Sequence, residues 1–199
     1  MTTVCARNGT KRSFQIYSNH FALDLSHSFE RDETEAEILR LISSQPSTVF
    51  AEADDGNNLP IHIAAAQSKS ARVVEEIIRL YPEGLKLKND DGRLPVHLAA
   101  KYNPSVTVLK SILEAYPSGL KERNNYGWLP IHCATVNGVS LGIVQELIKY
   151  YPVGLQQTTK DGMLPIHFAA RSSPSFEIVR TVLEEFPGLI TNLYLFDFE

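Results

Sequence analysis

The chain has 199 residues, 43 % of them apolar and 21 % charged, enough to bury the core of one ordinary domain or two very small ones. That balance, with only two cysteines, excludes a wholly disordered chain, a collagen and a disulfide scaffold. Nineteen basic against twenty-three acidic side chains leave a net charge of −4, the opposite of a strongly cationic nucleic-acid or membrane binder.

Residues 1–32 follow no pattern seen later in the chain and read as a flexible, solvated N-terminal tail. The first 23 carry Arg7, Lys11 and Arg12 and no acid, a basic start that is also compatible with an organellar transit peptide. They lack the apolar run of about 7–15 residues that marks a secretory signal. No stretch approaches the roughly 20 consecutive apolar residues needed to cross a bilayer, so no membrane insertion is expected. Cys5 lies in the tail, and Cys133 lies in an apolar run where a thiol behaves as a small hydrophobe. Nothing demands an oxidising compartment, which places the protein in the cytoplasm or nucleus.

From residue 56 the chain repeats itself. Leu59-Pro60, Leu94-Pro95, Leu129-Pro130 and Leu164-Pro165 are spaced by 35, and each is followed by a β-branched residue and a histidine (His62, His97, His132, His167). Pro82, Pro117, Pro152 and Pro187 keep the same period behind Tyr81, Tyr116, Tyr151 and Phe186, and serines recur at Ser70, Ser105, Ser140 and Ser175. The repeats are 56–90, 91–125, 126–160 and 161–190. Residues 33–55 read as a preceding half repeat, because Ile38, Ile42 and Pro46 lie 36 residues before Val74, Ile78 and Pro82. The extra residue is assigned to Asn57-Asn58, two residues between Gly56 and Leu59 where later units have one.

Each unit has a physical grammar. Asp-Gly or Tyr-Gly before Leu-Pro is turn chemistry, with Gly free to take positive φ. Proline is pre-set for the first helical position, where its missing donor costs nothing. A short helix follows, with small alanines that let a neighbour come close. The serine column stands where an N-cap belongs, ahead of Val73, Val74, Ile77, Ile78 and Tyr81, one face of a second helix that the next proline stops. Two helices and a turn, repeated, predict an all-α solenoid that buries its stripes only by stacking.

The segment Asp91-Gly92-Arg93-Leu94-Pro95-Val96-His97-Leu98-Ala99-Ala100 resembles the ankyrin signature D-G-x-T-P-L-H-x-A-A, in register across four units. The resemblance implies an ankyrin-type α-solenoid of helix-turn-helix repeats, here with period 35 rather than the family's 33. Leucine replaces the signature threonine at Leu59, Leu94, Leu129 and Leu164, which removes the hydroxyl that in the family caps the first helix and bonds the histidine. A tetratricopeptide array, the structural rival, lacks the Gly-x-x-Pro-x-His start.

No catalytic constellation emerges. Equivalent histidines in stacked helices lie about 8–10 Å apart, too far to share an ion that needs ligands within about 2.1 Å. They read as structural, bonding local backbone. His132 and Cys133 are helix neighbours pointing about 100° apart, poorly placed for proton transfer. There is no phosphate-binding Gly-rich loop, no His-Glu-x-x-His and no Cys-x-x-Cys. No enzyme activity, metal or cofactor is expected.

The resemblance implies instead that the turn tips and first helices line a concave surface that grips a partner protein. Arg93, Lys101, Tyr102, Tyr126, Trp128, Met163 and Arg171 vary at those positions and are the candidate binding residues. Arg93, Tyr102, Tyr126 and Trp128 form the expected hot spot, since Trp, Tyr and Arg dominate binding energies; Trp128 is expected at an exposed tip between Arg93 and Met163. The alternative for Trp128 is packing on the next turn. Residues 191–199 form an apolar C-terminal tail that folds over the last repeat, marks a fragment of a longer chain, or docks something. The expectation is a monomeric, non-catalytic protein-interaction module or scaffold, or else a regulatory or targeting module of a larger protein, with no nucleic-acid partner.

Overall fold

The computed structural model describes residues 21–137, 140–172 and 176–186. Among these residues there are ten α-helices and no strands. They are α1 (Phe21–Glu30), α2 (Glu35–Ser43), α3 (Pro60–Gln67), α4 (Ala71–Leu80), α5 (Pro95–Tyr102), α6 (Val106–Ala115), α7 (Pro130–Asn137), α8 (Leu141–Tyr150), α9 (Pro165–Ser172) and α10 (Phe176–Glu185). The odd-numbered helices pack neighbour to neighbour in an inner row, and the even-numbered helices stack in an outer row. The chain is an all-α solenoid.

Local chemistry sets each boundary. Pro60, Pro95, Pro130 and Pro165 open the inner helices at the first helical position. Ser70 and Ser105 cap α4 and α6, each hydroxyl accepting a backbone N–H from Val73 or Val108 at 3.4 Å. Ser140 makes no such side-chain bond, and Ser175 lies outside the described residues. The outer helices then bury the stripe that stacking requires, as Val108, Leu109, Ile112 and Leu113 do in α6. They end at Tyr81, Tyr116 and Tyr151, each followed by a 3-10 turn that begins with proline.

The exit turn explains its glycine. A Cβ on Gly84 would meet Ile61 Cγ2 and Tyr81 Cδ1 at 3.0 Å, so the tyrosine ring and the inner helix leave no room for a side chain. The inner seam is lined by small buried residues (Ala64, Ala65, Ala99, Ala100, Ala134, Ala169), the outer seam by Val, Leu and Ile. Small side chains let the inner helices approach one another closely.

Three expectations need correction. The tail does not run to residue 32: α1 occupies Phe21–Glu30 and packs on α3, burying Phe21, Ala22 and Leu25. It is the degenerate first half of the leading unit, hidden because it lacks the Leu-Pro-x-His motif. The 36-residue offset arises between α2 and its 3-10 turn, where Ser44, Gln45 and Pro46 stand in the place that Tyr81 alone takes after α4, and not at Asn57-Asn58. Gly56 is not in the turn-glycine column either. Asn57 takes that place, with φ +58° beside +71°, +77° and +75° at Gly92, Gly127 and Gly162. Residues 187–199, including the apolar tail, lie outside the described residues.

Candidate protein-binding face

The histidine column is a set of inter-repeat ties. The backbone N–H of Leu59, Leu94 and Leu129 donates to Nδ1 of His62, His97 and His132 at 3.1 Å, and Leu164 donates to His167 at 2.9 Å. The imidazole thus accepts the N–H of the N-cap leucine, while the histidine's own backbone N–H, which a hydroxyl at the N-cap would accept, turns back to the leucine carbonyl (His62 to Leu59 O, 2.8 Å). With Nδ1 accepting, the proton sits on Nε2. That N–H bonds the end of its own repeat, His62 to Leu87 O (3.1 Å), His97 to Glu122 O (3.0 Å) and His132 to Gln157 O (2.9 Å), and two of the rings also reach the next repeat, His62 to Arg93 O and His97 to Trp128 O (both 3.2 Å). All three rings are fully buried, and burial pushes their pKa down from the ordinary value to about 4. Both nitrogens are committed, so these rings carry structure and not ligation. Burial pushes the Cys133 thiol up to about 12, far from a nucleophile's range. No group of three or more His, Cys, Asp or Glu among the described residues could hold a metal ion.

The turn tips are joined as firmly. Within one tip, Asn89 N–H donates to Arg93 O (3.0 Å) and Gly92 N–H to Asn89 O (2.8 Å). Between tips, Asp90 N–H reaches Gly56 O (3.1 Å), Asn125 N–H reaches Asp91 O (3.0 Å), and Asn89 Nδ2 donates to Asn58 Oδ1 (2.8 Å). Lys160 Nζ continues the row onto Asn125 O (2.7 Å). Turns and inner helices therefore present one pre-organised surface.

The candidate residues divide on it. Tyr126 is 52 % exposed at its tip and Tyr102 is 48 % exposed at the last position of α5. Lys101 lies beside Tyr102, its ammonium 4.8 Å from the ring centroid. Arg171 is exposed on α9, and Met163 is half-buried at the fourth tip. Trp128 is not exposed at a tip: it is half-buried with its ring 4.9 Å from Phe168 of the following unit, and Tyr126 stands 6.2 Å away on its other side. Arg93 is also withdrawn, its side chain only 14 % exposed and its Nη1 held 2.6 Å from Asp91. The expected hot spot therefore splits. Tyr126 and Trp128 sit at the tips, and Lys101 and Tyr102 sit at the far ends of the inner helices, about 12 Å away by helix rise.

Sequence reasoning missed Phe29 and Phe168. Phe168 stands in the same repeat column as Ile63, Leu98 and Cys133, where an apolar residue reads simply as core. Phe29 belongs to the stripe Phe21, Leu25, Phe29, a helical spacing that would have revealed α1. It lines an open groove of about 580 Å³ with Ala66, Tyr102 and Pro104, at the C-terminal ends of α1, α3 and α5.

Residues 61–153 match the family model of ankyrin repeats, in three copies. Ankyrin repeats are generally protein–protein interaction modules and typically non-catalytic. No curated protein matches the chain significantly. No described helix is long and apolar enough to cross a membrane.

Proposed function

We propose that this ankyrin-repeat array is a non-catalytic scaffold that binds one partner protein across its inner row. The observation that carries the reading is the pairing of Tyr126 and Tyr102, about half exposed, with a backbone locked by histidine and asparagine ties. Exposed tyrosines offer large contact area with few rotors to freeze, and a rigid frame lowers the entropy cost of association. Lys101, Arg171 and Met163 flank them as further contacts. Trp128 and Arg93 act from behind, one as the platform under Tyr126 and one tied to Asp91. The reading takes the protein as a monomer in the cytoplasm or nucleus, supported by a buried free thiol at Cys133 that makes no use of an oxidising compartment.

The test compares Tyr126→Ala and Trp128→Ala in partner capture and in thermal melting. Tyr126→Ala should weaken capture by about 1–2 kcal/mol with the melting curve unmoved. Trp128→Ala should also lower stability, by about 1–3 kcal/mol, because it strips the platform from Phe168. Undiminished capture by both variants would sink the proposal.

A further inference from the structure

Four of the five inner helices carry a charge pattern that α1, with Asp24 and Glu30, and the chain as a whole do not. Helices α3, α5, α7 and α9 contain no aspartate or glutamate, and their cations are Lys101 and Arg171. The chain as a whole is acidic, with a net charge of −4. The acids are placed elsewhere: Glu76, Glu146 and Glu177 sit on the outer helices, where Arg79, Lys149 and Arg180 pair with them one turn along. Lys101 and Arg171 each lie in the last turn of an inner helix, at the same repeat position two units apart. Two helix-packing steps of about 8–10 Å put them about 16–20 Å from one another. Val136 of α7 lies between them and adds no charge.

A second feature lies at the same edge of the floor. The groove of about 580 Å³ begins beside Lys101, at Tyr102, and extends away from Arg171 toward α1. The polar side chains of its lining are engaged within the chain. Lys69 is 2.6 Å from Asp32, Gln67 bonds Ser26, and Asn103 Nδ2 donates to Ala65 O and Ser68 O. Phe29, Ala66, Tyr102 and Pro104 are left as an apolar seat, with Glu30 at the α1 side. An acid would be repelled there and a large apolar side chain accommodated.

Resting on the binding role proposed above, we infer that the partner is an acidic segment of another protein that seats one large apolar residue in this groove and sets carboxylates on Lys101 and Arg171. The spacing fixes its register. Two carboxylates about 16–20 Å apart are about 11–13 residues apart on a helix. On an extended chain they are about 5–6 residues apart. The helix dipole, negative at its C-terminal end, holds both cations in place. Charge complementarity of this kind sets specificity and encounter rate, so binding weakens as salt rises.

The experiment uses fluorescein-labelled synthetic peptides with one tryptophan followed by glutamates at either spacing. Controls carry glutamine or lysine at the glutamate positions, and a short single-stranded DNA of equal charge is the other control. Anisotropy titrations use the full chain, Tyr102→Ala and the double variant Lys101→Glu/Arg171→Glu, after melting curves show each is folded. The expected result is binding of one glutamate peptide roughly tenfold tighter than its glutamine version, and weaker at ~300 mM than at ~50 mM salt. Charge reversal should abolish that preference and transfer it to the lysine peptide, and Tyr102→Ala should weaken every peptide alike. Equal affinity for the glutamate, glutamine and lysine peptides, loss in Tyr102→Ala only, equally tight DNA binding, or no peptide binding would each overturn the inference. Loss in Tyr102→Ala alone would leave the protein-binding role standing and remove only the acidic partner.

Discussion

The inner and outer helix rows are cut from the same repeat and do opposite work. The outer row carries the bulk of each unit's large apolar stripe, Leu109, Ile112 and Leu113 in α6, and shows water a surface of charges paired along each helix. The inner row packs on alanines and is tied by buried histidines, and from α3 to α9 its helices present tyrosine and cations without acids. The difference separates two demands that compete in a compact domain. Stability and solubility are met on one side by redundant apolar contacts and self-paired charge. The proposed recognition falls to the other side, where polar groups are bonded within and between repeats.

Four measurements would break or sharpen that contrast. The largest effect is expected in the outer row, where Leu113→Ala should cost about 2–5 kcal/mol in chemical denaturation, since Leu113 is fully buried between α6 and its neighbours. Leu183, its equivalent in α10, is only half-buried and should cost less; equal losses would contradict the stacking account.

Acid should act on the inner row. His62, His97 and His132 have folded-state pKa values of about 4, below the ordinary value of 6.5, so the unfolded chain binds their protons first. Their contribution is complete above about pH 6.5 and is lost as pH falls toward 4, about 3 kcal/mol for each histidine. Denaturation midpoints across that window should fall steeply, and a flat profile would refute the neutral ties.

Third, His97→Ala orphans the Leu94 N–H, the Glu122 carbonyl of its own unit and the Trp128 carbonyl of the next, and should cost about 2–3 kcal/mol with faster amide exchange at Trp128. Smallest of all, Arg79→Ala on the outer surface removes an exposed pair with Glu76 and should change stability by less than about 1 kcal/mol. A larger loss there would mean that outer charges do more than keep the protein soluble.

The repeat was legible because proline, glycine and histidine each impose a local geometry that recurs in the sequence with the same period. What escaped lay where the same geometry is reached by other residues. Asn57 replaces a glycine at positive φ, and a longer connection after α2 mimics an inserted turn residue. The missing threonine cap was legible, but the bond from the leucine N–H to the neighbouring imidazole was not, because it depends on the ring's orientation. The candidate face was read by position along the repeat, which placed Tyr102, Tyr126 and Arg171 on the surface. Side-chain direction withdrew Trp128 onto Phe168 and Arg93 onto Asp91, and no spacing in the sequence records a direction.

The central claim, that the inner row binds the partner and the outer row does not, can be tested by one cross-linking comparison. A photoreactive residue is placed at Tyr126 on the inner side or at Tyr150 on the outer side, which are 52 % and 39 % exposed. Irradiation in cell extract should give a discrete cross-linked species from the Tyr126 position, absent from the Tyr150 position. A species from Tyr150 alone, or from both positions equally, would contradict the account.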